Sequence, residues 1–236
     1  KKLEKKWKKS LALEQNCSSK ASLTITVTHD EKKVVDNWGA KCSVVPNIHK
    51  PSSMQIPSFG EREGLLFIGS YLHPPNVDSV IWLCEEIMPQ VWERNPNFNL
   101  TLLGSNPTEK VLSYKNENVF VPGFIHDVKP YFQRAKIFLS PLRYGAGMKG
   151  KIGQSMALGL PVITTKVGAE GMNLVHDMNS MIAESSKDFV SNICSLYTDE
   201  KSWNRLSQKS LEHMEQFSPE IVSREIKKII TRHLDE

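Results

Sequence analysis

From Leu65 onward the chain repeats one unit: a short apolar run, a glycine or proline, then a helical stretch. The apolar runs are "LLFIGS", "FNLTLLGS", "NVFVPGF", "KIFLSPL", "LPVITT" and "NSMIAE". Between them lie a long amphipathic helix, "NVDSVIWLCEEIMPQVWERNP", a short one, "VKPYFQRA", and a small-residue helix starting near Gly150. Helical patterns fill the remainder, "SKDFVSNICSLYTD", "EKSWNRLSQKSLEHMEQF" and a last helix from Pro219. Short apolar strands alternating with helices require a parallel, doubly wound α/β sheet covered on both faces. In such a sheet ligands sit outside the carboxyl ends of the strands. The glycines at strand ends, Gly69, Gly104 and Gly123, and the loop from Gly145 to Gly150 all fall on that edge.

The leading part is organised differently. "KKLEKKWKKSLALEQN" is a basic helix candidate with Leu3, Trp7 and Leu11 at helical spacing. Its apolar stripe is narrow, which suits one protein face better than a membrane surface. "SLTITVT" alternates as a strand, "HDEKKVVDNWG" follows as a short helix closed by Gly39, and "KCSVVPN" is a second strand. Pro46 to Gly60 is rich in Pro and Ser without an apolar period and reads as a linker.

Composition excludes several classes. Over 236 residues the net charge is +4, too small to argue for nucleic acid. No apolar run approaches the ~18 residues of a membrane span. Cys17, Cys42, Cys84 and Cys194 are scattered without metal-ligand spacing and read as reduced thiols of a cytoplasmic protein. No apolar core follows the basic residues at Lys1, so no signal peptide is read, and without an initiator Met the chain reads as a fragment.

The densest chemical signal is "SPLRYGAGMKGKIGQSMALGLPVITT". A glycine-rich turn bearing Lys149 and Lys151 and feeding a helix at Gly150 suits a diphosphate, because helix-terminal N–H groups and ammonium groups both favour an anion. The alternative is a surface turn whose lysines keep it soluble. "GAGMKGK" has neither Walker nor dinucleotide-fingerprint spacing. Arg143 on the same loop adds positive potential or is a surface cation. Glu170 in "VGAEGM" is the only carboxylate between Asp127 and Asp177 and is either a site residue or a solvated turn. His73, beside two prolines, reads as a loop residue. No catalytic triad, paired-carboxylate or metal signature emerges.

Together these residues carry a resemblance. "VPGFIHDVKPYFQRAKIFLSPLRYGAGMKGKIGQSMALGLPVITTKVGAEGM" resembles the donor-binding half of a GT-B glycosyltransferase of the family 4 (group 1) type. "LLFIGSYLHPPNVDSVIWL" resembles the first strand, loop and helix of that domain, and "ASLTITVTHDEKKVV" with "VVPNI" the close of the acceptor domain. The resemblance implies residues 1–50 as a remnant of the N-terminal acceptor domain and 51–63 as a linker. It implies 64–217 as the C-terminal Rossmann-like nucleotide-sugar domain and 218–236 as a C-terminal helix.

It further implies a retaining hexosyl transfer from a nucleotide sugar to a glycan, lipid or protein acceptor. No cofactor or metal is required, and the missing N-terminal domain is a partner. Any membrane attachment would be peripheral and belong to the full-length protein. The implied site is Gly69, Ser70, Phe124, Ile125, Arg143, Gly147, Lys149, Gly150, Lys151, Gln154, Gly168 and Glu170, with Glu170 the catalytic candidate. Phosphates fall to Lys149, Lys151 and the N–H groups around Gly150, the ribose to Gln154, and the sugar or distal phosphate to Glu170 with the Gly168 backbone. The base falls near Phe124 and Ile125. The chain departs from the family pattern at four places. Ser70 stands for an arginine, the following lysine falls on or beside Pro75, and the spaced glutamates fall on Ala146 and Gln154. Two rivals follow: a catalytically silent nucleotide-sugar-binding domain, and a nucleotide-sugar epimerase of the same fold.

Overall fold

The computed structural model describes residues 2–51 and 56–235. Positions 52–55 of the expected linker, like Lys1 and the Leu3 side chain of the expected apolar stripe, lie outside the described residues. Helix α1 (Lys2–Lys20) runs past Asn16, the last residue of the expected helix, and leaves Trp7 61% exposed. Strand β1 (Thr24–Thr26), helix α2 (His29–Asn37) and strand β2 (Cys42–Val44) form a small parallel β-α-β unit, Thr24 pairing with Cys42. Thr28 starts α2 through a reciprocal cap. Its hydroxyl accepts the Glu31 N–H while the Glu31 carboxylate accepts the N–H of Thr28.

The larger sheet begins with β3 (Leu65–Ile68), followed by α3 (Pro74–Trp82), α4 (Met88–Arg94) and β4 (Leu100–Leu103). Then come α5 (Glu109–Leu112), β5 (Val119–Gly123), α6 (Lys129–Arg134) and β6 (Ile137–Ser140). Helix α7 (Gly150–Met156), β7 (Val162–Thr164), α8 (Lys166–Ala169) and β8 (Met181–Ile182) complete it. Helices α9 (Ser186–Thr198), α10 (Glu200–Met214) and α11 (Pro219–Asp235) close the chain.

The six strands are all parallel, in the order β5-β4-β3-β6-β7-β8. Counted from its own first strand, this is the 3-2-1-4-5-6 order of the dinucleotide-binding fold. Successive residues of β3 serve opposite faces. Leu65 and Phe67 pack with α3, α4 and α9, whereas Leu66 and Ile68 pack with α6 and α7. All four are buried, which explains an apolar run with no alternation. Each such side chain contributes roughly 1.5–3 kcal/mol on burial.

Three local features depart from the expectations. The single long helix is two helices joined by a π turn over Leu83–Ile87, where the Met88 N–H donates to the Leu83 carbonyl five residues back. Pro89 accounts for it, because its ring excludes the carbonyl four residues earlier and it has no N–H to donate. The two short helices α5 and α8 fall in stretches that show no helical period. Each is started by a threonine hydroxyl, Thr108 and Thr165.

Candidate functional site at the carboxyl edge

The strand order reverses between β3 and β6, and their carboxyl ends open the crevice where ligands bind in such sheets. Glycine lets the chain close up there. A Cβ on Gly104 would lie 1.8 Å from the Gly69 carbonyl oxygen, and one on Gly69 would lie 2.7 Å from the Asn76 amide. Asn76 in turn donates to the Ser70 carbonyl at 2.8 Å, and the Ser105 hydroxyl donates to that of Ser70 at 3.2 Å. The loop after β3 is thus braced by short polar side chains where the family pattern has an arginine. His73 caps α3 only through its backbone and is exposed, a loop residue as expected.

On the other side of the crevice the turn after β6 bends through Gly145 and Gly147, both at positive φ. It delivers Lys149 as the residue preceding α7. Lysine has no acceptor, so the first N–H groups of α7 receive no side-chain cap. The Lys149 ammonium donates to the Gly147 carbonyl and, at 3.1 Å, to the Glu170 carboxylate. With side-chain exposures of 11% and 28%, this pair is well desolvated, so its charge is little screened. Lys151 donates to the Gln154 side chain at 3.0 Å, and partial desolvation of its ammonium lowers its pKa. The structure therefore brings Gly147, Lys149, Gly150, Lys151, Gln154 and Glu170 into one cationic turn.

Other expected residues take different places. Arg143 forms a two-pronged ion pair with Asp78, one arm at 2.9 Å, and lies over the Trp82 ring at 5.5 Å. Its charge is tied to α3, where Asp78 holds it charged, in place of the expected addition to the lysine field. The Gly168 N–H donates to Thr165 Oγ1 at 3.1 Å, and a Cβ there would lie 1.9 Å from Thr164 Oγ1. Gly168 is thus a packing glycine, and its N–H serves the α8 cap in place of the expected ligand contact. Phe124, 71% exposed, and Ile125, half-buried, follow β5, two strands away from the crevice.

The leading piece supplies residues that were not expected. Thr28, which caps α2, and Glu31 of α2 meet the segments around the cationic turn. A Cβ on Gly171 would lie 2.3 Å from Thr28 Cγ2, and one on Gly147 would lie 3.2 Å from Glu31 Oε1. The Asn47 N–H points at the Met148 sulfur at 3.4 Å. The buried ring of His49 packs on Gly153 of α7, where a Cβ would lie 2.3 Å from Nε2. The T-x-x-E pattern at Thr28 signals a helix start; nothing in it signals a contact 116 or more positions away.

A cavity of about 460 Å³ opens beside this edge, lined by Trp82, Leu142, Arg143, Lys166 and Glu184 among others. A larger one of about 690 Å³ lies at the opposite edge, around Gly64, Asn99, Phe120 and Tyr131. Strand direction and the placement of the lysines favour the carboxyl edge. Among the described residues no group of three or more His, Cys, Asp or Glu could hold a metal ion.

A doubly wound parallel sheet whose order reverses between β3 and β6 defines an α/β fold of GT-B type. The chain belongs to the glycosyl transferases group 1 family, whose model matches residues 62–199. A Klebsiella pneumoniae protein described as an uncharacterised 44.6 kDa protein in the cps region is 27% identical over 138 residues, 55% of this chain and 36% of that protein. Among solved structures, TarM superposes over 93% of this chain and 45% of its own, with TM-score 0.79 and 17% identity. The pneumococcal O-GlcNAc transferase GtfA in complex with UDP and GlcNAc gives 0.74 and 14% over 95% and 47% of the two chains. Anabaena Alr3699/HepE in complex with UDP and glucose gives 0.74 and 15% over 94% and 66%. The chain thus spans about a third of the curated relative and less than half of TarM.

Proposed function

We propose that this chain is the donor-binding part of a retaining glycosyltransferase that transfers a hexosyl group from a uridine diphosphate sugar to a glycan acceptor. The observation that carries the reading is the uncapped start of α7 at the switch point, flanked by Lys149 and Lys151. As the glycosidic bond to the diphosphate breaks, negative charge builds on the leaving phosphate. Preorganised N–H groups and ammonium groups stabilise charge of that kind most where it develops. Lys149, oriented by Glu170, faces the distal phosphate, Lys151 the other, and Gln154 the ribose. UDP as the donor nucleotide is supported by the UDP complexes of GtfA and HepE. An envelope glycan as acceptor is supported by the cps-region relative.

In this reading the chain alone binds UDP and transfers nothing, because the acceptor half is largely supplied by the rest of a longer protein. Calorimetric titration with UDP and uridine tests the reading. UDP binding that exceeds uridine binding and depends on Lys151 supports it, and equal affinities would refute it. A silent binding domain is the second reading, favoured by Ala146 and Gln154 at the positions where the family pattern has glutamates.

A further inference from the structure

Between Gly145 and Gln154 the chain carries no carboxylate, since Ala146 and Gln154 occupy the positions where the resemblance places them, and Glu170 beside the turn is already paired with Lys149. A carboxylate nevertheless reaches the turn from α2 of the leading β-α-β unit. Glu31 Oε2 accepts the N–H groups of Val27 at 3.1 Å and Thr28 at 3.0 Å, which fixes the plane and direction of the carboxylate. Oε1 has no hydrogen bond among the described residues, and it lies 3.2 Å from where a Cβ on Gly147 would be. Glu31 also makes no ion pair among the described residues; the neighbouring Lys149 is committed to Glu170 and the Gly147 carbonyl.

A fixed carboxylate oxygen that no protein group pairs is free to accept from a ligand donor. A phosphate brings only negative charge and is repelled by it. A sugar attached to the distal phosphate lies next along the turn and presents hydroxyl groups, which donate. We propose that Glu31 is a sugar-contacting residue that accepts hydroxyl hydrogens of the donor hexose, and that it selects neutral sugars against those carrying a carboxylate. The contact comes from the leading β-α-β unit, so sugar recognition requires that unit as well as the larger sheet. The inference rests on the nucleotide-sugar reading above.

The test titrates the chain and its Glu31→Gln variant with UDP, UDP-glucose and UDP-glucuronate. Glutamine serves in the same capping position as glutamate, so α2 keeps its start. In the variant the amide oxygen must take the Val27 and Thr28 N–H groups, so the group left facing the sugar is an NH2, which cannot accept a hydroxyl hydrogen. Glu31→Gln should therefore weaken UDP-glucose about tenfold and leave UDP unchanged. The parent should bind UDP-glucuronate more weakly than UDP-glucose, and the variant should narrow that gap. Loss of UDP and UDP-glucose affinity by equal factors, or no change in either, would overturn the assignment to the sugar. Failure of UDP itself to bind the parent would instead remove the nucleotide-sugar reading, and this inference with it.

Discussion

Arg62 is among the largest fully buried side chains, at 2% exposure, and among the described residues no carboxylate touches it. Its hydrogen bonds all go to carbonyl oxygens. Nε donates to Pro57 at 3.1 Å, Nη1 to Phe132 at 2.7 Å and Ala135 at 3.1 Å, and Nη2 to Leu158 at 3.0 Å. The guanidinium also lies over the Trp203 ring at 5.4 Å. Burial lowers its pKa to about 10, still well above neutrality, so the group is charged at pH 7. It joins the segment before β3 to the ends of α6 and α7.

Arg62→Ala removes the donors of four carbonyls. Hydrogen bonds to a charged group contribute roughly 1.5–3 kcal/mol each, but the cost of burying the charge disappears with it. The net loss should be ~3–5 kcal/mol, since four carbonyls left without donors cost roughly 1–3 kcal/mol each and relief of the charge's burial offsets part of that. Arg62→Lys keeps the charge and loses the fork, so it should lose ~2–4 kcal/mol, since an ammonium cannot reproduce the spread of donors. Arg62→Met keeps the apolar stem and should fall near alanine if the carbonyls dominate. Urea unfolding followed by circular dichroism and fluorescence measures all three, with coincident transitions as the two-state check. A loss below ~1 kcal/mol for Arg62→Ala, or a lysine variant as stable as the parent, would refute the reasoning.

Lys151→Ala should weaken UDP ten- to a hundredfold by calorimetry, at ~1.5–3 kcal/mol for the charged bond, and leave uridine unchanged. Because Lys151 donates to Gln154, the double variant with Gln154→Ala should be less than additive, and strict additivity would mean the pair does not act together. Gly153→Ala should cost ~1–3 kcal/mol by overpacking against His49, and His49→Ala should recover most of it in urea titrations. Burial lowers the His49 pKa, so the unfolded chain takes up the proton first as pH falls. Stability should therefore be full above about pH 6.5 and decline as pH falls toward the folded pKa. The decline should shrink in His49→Phe; an unchanged profile would exclude this histidine as its source.

The strands from Leu65 onward were legible because each is buried on both faces, and an unbroken apolar run between glycines has no other soluble solution. The turn at Lys149 was legible because glycines between an apolar run and a helical stretch mark a strand–helix junction. Its pairings were not, since Lys149 with Glu170 and Arg143 with Asp78 join residues 21 and 65 positions apart. Helices α5 and α8 escaped notice because four residues are too few to show a period of 3.6. By itself the sequence determined the alternation of elements, the sheet edge on which the glycine turn falls and the sign of that turn's charge, all consequences of burial pattern and residue type within short windows. Only the tertiary structure decided the strand order, the commitment of Arg143 and Gly168 to packing and capping, and the arrival of Glu31 opposite Gly147. Those outcomes depend on which distant segments share the space at one sheet edge, and no local pattern of side chains encodes that choice.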